Sequence, residues 1–352
     1  MSRRLMKGNE AIALGAILGG CDAFFGYPIT PQNEIPEYLS KYMLEHGKVF
    51  VQAESEISAI NMVYGASAAG ARAMTSSSSP GIALKQEGIS YLCGAELPCV
   101  IVSVMRGGPG LGGIQPSQSD YFQITRGGGN GDYRVISFVP ENVQEAVDII
   151  KEAFDIADYY RNPVMIAIDG LIGQMMEPVD LDKPIKKRQI DEKVWATKGS
   201  KISEKNKTIT SLYLNPDHLY KHNIHLQKKY QEVANCETRY EVIYPDSDYM
   251  IVAYGTMARI CRSVINTLRD HNTSIGMIRP ITAWPFPKEA FEKIGKNTKS
   301  FICCELSMGQ MIDDVRINNV NNLPIHFFGR SGGIVPEPNE IVNYILSVIG
   351  DK

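Results

Sequence analysis

The sequence predicts an α/β protein: a doubly wound parallel sheet followed by a second, smaller α/β unit. Three observations lead there. From the start of the chain to about Asp180, short apolar runs alternate with stretches of helical period. The runs are near-continuous, as in a sheet buried on both faces, not alternating as in a half-solvated one. After Tyr240 the same alternation resumes. Strand–helix alternation sets parallel strands side by side with helices over their faces. With 352 residues, a chain built at roughly 150 residues per domain holds two or three.

The opening residues MSRRLMKGNEAIALGAILGG begin basic and turn apolar, but Asn9 and Glu10 interrupt the run. They predict a first helix and not a targeting segment. Runs at Phe24–Tyr27, Val49–Ala53, Arg72–Thr75, Cys99–Met105, Val135–Phe138 and Val164–Ile168 read as strands. Between them, Glu56–Ala69 and Asn142–Tyr160 read as helices, the second from its apolar period Val143, Ala146, Val147, Ile150 and Phe154. Residues 1–182 form the first unit on this reading. Residues 183–240 differ in composition. From Leu181 to Tyr240 there are 13 Lys and Arg against 7 Asp and Glu, an excess of 13 − 7 = 6, leaving −3 − 6 = −9 on the rest. This segment includes the polar run Lys198–Lys207 and reads as a basic connector with one helix near Pro216–Val233. It serves either as a solvated linker or as a clamp over a partner subunit or an anionic cofactor. In residues 241–352, Tyr249–Tyr254, Ser274–Met277, Ser300–Cys304 and Ile325–Phe328 read as strands. Helices are expected at about Met257–His271, Glu289–Ile294, Gly309–Val320 and Glu340–Ile349.

Composition excludes several functions. A net charge of −3 provides no basic field for nucleic acid. No stretch reaches the ~20 apolar residues of a membrane span. The cysteines, Cys21, Cys93, Cys99, Cys236, Cys261, Cys303 and Cys304, are odd in number and form no CxxC. They argue against a disulfide framework, a zinc site or an iron–sulfur cluster held by this chain. Small buried thiols in a reducing cytoplasm are the expectation.

Four stretches at strand ends carry candidate chemistry. Gly26-Tyr27-Pro28-Ile29-Thr30-Pro31 follows the first predicted strand, where α/β sheets bind ligands. Two prolines stiffen it, and Thr30 either offers a hydroxyl to a ligand or caps the helix that follows. Glu54-Ser55-Glu56 opens a helix, where an acid either compensates the dipole or does acid–base work. Thr75-Ser76-Ser77-Ser78-Ser79-Pro80-Gly81 combines little bulk with many hydroxyls, suiting a flat polar ligand or a plain loop. Arg106-Gly107-Gly108-Pro109-Gly110-Leu111-Gly112-Gly113 contains GxGxxG, but Gln115-Pro116-Ser117-Gln118 follows it in place of an apolar helix. That rules out a dinucleotide fingerprint. An Arg beside a glycine loop remains, suited to bidentate capture of a carboxylate or to a surface ion pair. Arg126-Gly127-Gly128-Gly129-Asn130-Gly131-Asp132 lacks the following Asn of a GDG…N diphosphate–Mg²⁺ motif and reads as a loop or subunit contact.

Taken in order, Gly8-Asn9-Glu10-Ala11, the YPITP run, Glu54-Ser55-Glu56, Ser76–Gly81 and Arg106-Gly107-Gly108-Pro109 resemble the α subunit of 2-oxoacid:ferredoxin oxidoreductases. In the second unit, Ile278-Arg279-Pro280-Ile281-Thr282-Ala283-Trp284-Pro285-Phe286-Pro287, Glu305 through Gly309-Gln310, and Gly329-Arg330-Ser331-Gly332-Gly333 agree. The resemblance covers nearly the whole chain except the basic connector, and the YPITP run is its most specific piece. Asp169–Met176 and Gly127–Arg134 look most like the branched-chain (3-methyl-2-oxobutanoate) type. The resemblance implies a pyrimidine-type thiamine-diphosphate-binding fold and a transketolase C-terminal-like second domain. It implies Glu56, not Glu54, as the carboxylate on the cofactor's N1′, favouring the imino tautomer that generates the ylid. Tyr27, Pro28, Ile29, Ser77, Ser78 and Ser79 would be cofactor contacts. Arg106 would pair with the substrate carboxylate, and Thr30 would contact that carboxylate or shape the approach of coenzyme A.

The same resemblance places diphosphate and Mg²⁺ on a thiamine-diphosphate-binding β subunit. It places [4Fe–4S] clusters on a ferredoxin-like iron–sulfur subunit, with a γ subunit and free ferredoxin as further partners. The chain would then act only in the complex. The rivals are a transketolase-like or NAD-linked thiamine component and a non-catalytic scaffold of the same fold. Specificity for pyruvate or 2-oxoglutarate is the alternative within the family; 2-oxoglutarate needs a second cation, for which Arg72, Lys85 and Arg126 are candidates.

Overall fold

The computed structural model describes residues 3–199 and 207–350; most of the run Lys198–Lys207 lies outside them. The first unit runs β1 (Arg4–Lys7), α1 (Gly8–Leu18), β2 (Ala23–Gly26), α2 (Glu34–Glu45), β3 (Val49–Gln52), α3 (Glu56–Ala68), β4 (Ala73–Ser77) and α4 (Ser79–Gly94). It continues with β5 (Cys99–Met105), α5 (Tyr121–Thr125), β6 (Ile136–Phe138), α6 (Val143–Tyr160), β7 (Pro163–Asp169), α7 (Gly170–Gln174) and β8 (Met176–Val179). After the connector come α8 (Pro216–Glu237), β9 (Tyr240–Ile243), β10 (Tyr249–Val252), α9 (Gly255–Asp270), β11 (Ile275–Pro280) and β12 (Thr282–Trp284). The chain ends with α10 (Lys288–Glu292), β13 (Ser300–Glu305), α11 (Met311–Asn318), β14 (Ile325–Gly329) and α12 (Pro338–Ile349).

The main sheet has seven strands in the order β12-β6-β7-β5-β4-β2-β3. Its six strands from the first unit are parallel, so their carboxyl ends share one edge. β12 joins antiparallel to β6, so residues from beyond Tyr240 complete the first unit's sheet. The second sheet, β14-β13-β10-β11-β9, is parallel except for β9. A third pair joins β1 to β8 antiparallel. The N-terminal helix therefore begins only at Gly8, and Arg4–Lys7 form a strand that the sequence reading had included in the helix. The period of the apolar residues starts at Ala11, and nothing local marks the four residues before it as extended.

β5 shows why the strands read as unbroken apolar runs. Val100, Val102 and Val104 pack under α1 and α6, while Cys99, Ile101 and Met105 pack under α3 and α4. Both faces are covered, and each fully buried Val or Ile contributes about 1.5–3 kcal/mol. α6 starts where the Asn142 side chain accepts from the Glu145 N–H. The described part of the basic connector lies along the first unit and is not a free linker. Lys183 pairs with Asp148, Arg188 with Glu237, Lys193 with Asp158 and Lys229 with Glu96. Its excess positive charge answers acids on α6 and its neighbours.

Two buried side chains stitch the units together. Gln118 donates through Nε2 to the Tyr254 carbonyl at 2.8 Å, while its Oε1 accepts from the Leu306 N–H at 3.0 Å. Asp169, at the end of β7, caps α7 by accepting from the Leu171 and Ile172 N–H groups and accepts from the Thr256 hydroxyl at 2.7 Å. Replacing Asp169 by Ala leaves those buried donors without a partner. The unfolding free energy should fall by about 3 kcal/mol, read from the urea midpoint; an unchanged midpoint contradicts the role.

Candidate active site

The carboxyl ends of β2, β3, β4 and β5 bring together the segments that begin at Tyr27, Ala53, Ser78 and Arg106. This is the edge where open α/β sheets bind ligands. Glu56 is the first residue of α3, whose N-cap Ser55 accepts from the Ser58 N–H at 3.2 Å. Glu56 is only 7% exposed. Glu54, two residues earlier, is exposed and accepts from the Ser58 hydroxyl, which holds its carboxyl below the usual range. Of the two acids, Glu56 is the enclosed one.

The Glu56 carboxylate lies against the first turn of α4. A β-carbon at Gly81 would sit 2.1 Å from Ser77 Oγ and 2.7 Å from Glu56 Oε1, so only glycine leaves room there. Around this point the hydroxyls of Thr75, Ser77, Ser78 and Ser103 are buried without a hydrogen-bond partner among the described residues. Buried polar atoms are nearly always paired, so orphaned hydroxyls gathered at a sheet's carboxyl edge mark a place for a polar ligand.

Arg106 is 8% exposed. Its guanidinium donates to the Thr30 carbonyl at 2.8 Å and to the Leu111 carbonyl at 3.0 Å, and its Nε has no partner. Its backbone N–H donates to Ser79 Oγ at 2.9 Å, and Ser79 Oγ donates to Asp120. Burial pushes the Asp120 carboxyl up to about 6, with Ser79 and Arg106 opposing the shift. The structure thus joins Arg106 to Thr30 through the main chain and ties Ser79 to Arg106 and Asp120, while Ser77 stands beside Glu56. The Thr30 side chain is exposed and accepts from Asn33 Nδ2 at 3.5 Å. Tyr27 and Pro28 are exposed and Ile29 half-buried at the rim. The 126–132 loop is held by the Arg126–Asp314 ion pair and by Tyr133, whose hydroxyl accepts from the Gly129 N–H at 3.0 Å.

Sequence reasoning missed Asp120 and the bracing by Gln32, and did not place Gly81 or Lys85 against Glu56. Gln32 accepts from the Ser76 hydroxyl and donates to the Tyr27 carbonyl, bracing the YPITP turn. The available signal for Lys85 is a lone cation among Ile82, Ile89 and Leu92, which recur at helical spacing in α4. A separate cleft of about 680 Å³, lined by Tyr159, Arg161, Trp195 and Lys229 among others, lies between α8 and the connector. It includes none of the residues around Glu56 and Arg106. All of the cysteines except Cys236 are buried, and burial pushes the Cys21 and Cys93 thiols up to about 12. No described helix is long and apolar enough to cross a membrane.

A parallel α/β sheet with an enclosed acid, serine hydroxyls unpartnered among the described residues and a partly unpaired arginine at its carboxyl edge is of the kind that binds ligands there. Residues 14–241 match the family described as pyruvate flavodoxin/ferredoxin oxidoreductase, thiamine diphosphate-binding, and residues 247–341 match pyruvate:ferredoxin oxidoreductase core domain II. The chain is 46% identical to ketoisovalerate oxidoreductase subunit VorB of Methanothermobacter thermautotrophicus, over 100% of this chain and 99% of that protein. It is 33% identical to 2-oxoglutarate synthase subunit KorA of Methanocaldococcus jannaschii, over 98% and 100%. The 2-oxoglutarate:ferredoxin oxidoreductase from Magnetococcus marinus, solved with 2-oxoglutarate, coenzyme A and succinyl-CoA bound, superposes with a TM-score of 0.89 at 27% identity. That match covers 99% of this chain and 65% of that one. A split-gene transketolase, TM-score 0.62 at 14% identity, shares the fold. The chain belongs to the 2-oxoacid:ferredoxin oxidoreductase family, and residues 14–241 match the family's thiamine-diphosphate-binding domain.

Two outcomes follow from the geometry. Gly81→Ala pushes Ser77 and Glu56 apart, and turnover of the assembled enzyme should drop about 100-fold, as for misplacements near 1 Å; normal turnover contradicts the packing. Asp120 ionises at higher pH folded than unfolded, 3.8 being its ordinary value and about 6 its folded one. The folded chain therefore binds the extra proton, and stability falls as pH rises from about 4 to 6. Asp120→Asn should flatten that part of a thermal-stability profile, and a profile identical to the parent's contradicts the assignment.

Proposed function

We propose that this chain is the subunit supplying the pyrimidine side of a thiamine diphosphate site in a hetero-oligomeric, branched-chain 2-oxoacid:ferredoxin oxidoreductase. The reaction is 2-oxoacid + CoA + two oxidised ferredoxins → acyl-CoA + CO₂ + two reduced ferredoxins + H⁺. The observation that carries the reading is the enclosed Glu56 carboxylate facing Gly81 among unpartnered serine hydroxyls. Thiamine diphosphate, when bound, supplies the carbanion chemistry. Glu56 gives and takes a proton at its carboxylate oxygens toward the ring's N1′. Ser77 and Ser78 offer hydroxyls to the same ring, and Tyr27, Pro28 and Ile29 wall its rim. Ser79 acts one step removed, by setting the backbone of Arg106. Arg106 offers its free Nε to the substrate carboxylate, with Thr30 at the entrance.

The branched aliphatic substrate is supported from two sides. The VorB relative is named for ketoisovalerate and is 46% identical. Of the cations that could hold a second carboxylate, Arg72 is bound to Asp155, Asp158 and the Gly19 carbonyl, and Arg126 to Asp314. Lys85 lies beneath Glu56. The sequence lacks a GDG…N motif and any CxxC. Diphosphate and Mg²⁺ therefore belong to a β subunit, and [4Fe–4S] clusters to an iron–sulfur subunit. A γ subunit and ferredoxin complete the assembly.

In the assembled complex, Glu56→Gln should lower turnover by ~10²–10⁴-fold with subunit assembly unchanged. Near-normal turnover would refute the assignment. Assayed against 3-methyl-2-oxobutanoate, pyruvate and 2-oxoglutarate, the parent complex should have its highest kcat/KM on the first; preference for 2-oxoglutarate would overturn the substrate reading.

A further inference from the structure

Lys85 is 0% exposed, on the buried stripe of α4 that carries Ile82 and Ile89. Lysine is almost never fully buried unless paired, and an unpaired buried ammonium is costly. Its hydrogen bond runs from Nζ to the main-chain carbonyl of Glu56 at 3.2 Å. Gly81, four residues earlier and so on the same face of α4, is where the Glu56 side chain rests. One helix face therefore holds Glu56 at two points a turn apart: the carboxylate over Gly81 and the carbonyl over Lys85.

A cation at this place opposes the positive end of the α3 dipole. An apolar side chain would fill the space more cheaply, so something must favour the charge. Burial drags the Lys85 amine down to about 8, and the Glu56 carboxylate pulls it back up. The other charged groups near this edge are engaged elsewhere. Arg106 and Asp120 face each other across Ser79, Glu54 is exposed and bound to Ser58, and Glu87 is bound to the Tyr91 hydroxyl.

We propose that Lys85 is a positioning residue for Glu56: its buried ammonium bonds the Glu56 main-chain carbonyl, anchors the first turn of α3 and is the counter-charge to the carboxylate that rests a turn away over Gly81. Lys85 acts through Glu56 and is not a proton donor to substrate. This rests on the reading of Glu56 as the acid–base group.

Two variants separate charge from packing in the assembled complex. Lys85→Met keeps the length of the side chain without a charge, and Lys85→Gln keeps a donor without a charge. Both should lower kcat about tenfold with KM unchanged, because a loosened first turn of α3 misplaces Glu56 without touching the substrate. A role in packing or in bonding the carbonyl alone predicts a normal kcat for Lys85→Gln. Thermal stability gives a second readout through the cycle of Glu56→Gln, Lys85→Met and the double variant. The loss from Lys85→Met should be smaller in the Glu56→Gln background, because the carboxylate it leaves uncompensated is absent there. An unchanged kcat in both variants with additive losses of stability overturns the proposal, as does a double variant that fails to assemble. If Glu56→Gln alone keeps full turnover, the proposed function falls, while the thermal cycle still reports whether the two charges are coupled.

Discussion

A carboxylate at a helix N-terminus is favourable in water and expensive in a dry interior unless dipoles, hydrogen bonds or an opposite charge replace its hydration. Glu56 meets that condition in one place. The first turn of α3 points its free N–H groups outward, Lys85 lies beneath the turn, and Gly81 opens the space the side chain needs. The packing of α3 on α4 follows from the same demand. A β-carbon at Gly88 would come within 2.5 Å of Ile60, so the two helices approach closely along their length. The sheet order places β2 between β4 and β3, bringing the YPITP turn to the same edge as the serines and the acid.

The second unit shapes this edge as well as extending the fold. Gly107, next to Arg106, faces Gly332, and a β-carbon at Gly333 would lie 2.1 Å from the Gln115 β-carbon. The loop that starts with Arg106 is therefore shaped by a tight turn of the second unit. Gln118 and Asp169 fix the relation of the two with buried hydrogen bonds. Arg279 adds ion pairs to Glu145 and Glu241 near the same junction. The surroundings of Arg106 consequently depend on residues more than two hundred positions further along the chain.

Legibility in the sequence followed the physics of each element. Cys99–Met105 was readable because a strand buried on both faces must be apolar throughout, and the α6 period was readable because one helix face is buried. β1, β8 and β12 were not. They are three or four residues long, and their pairing depends on partners far away in sequence. The YPITP run, the Glu-Ser-Glu triplet and the serine run, each read at a strand end, lie together at the carboxyl edge of the main sheet. The sequence could not distinguish the enclosed Glu56 from the exposed Glu54 without the resemblance, because both flank one helix start. Lys85 and Asp120 were illegible as neighbours of Glu56 and Arg106, since their roles arise only from the approach of α4 to α3 and of the loop before α5 to Ser79.

The proposed contact of Glu56 with the pyrimidine ring, the diphosphate being held by another polypeptide, is open to an experimental structure of the assembled complex with thiamine diphosphate bound. A Glu56 carboxylate oxygen should lie within hydrogen-bonding distance of N1′, with the diphosphate and its metal coordinated by the partner. A ring seated away from Glu56, or a diphosphate gripped by this chain, would contradict it.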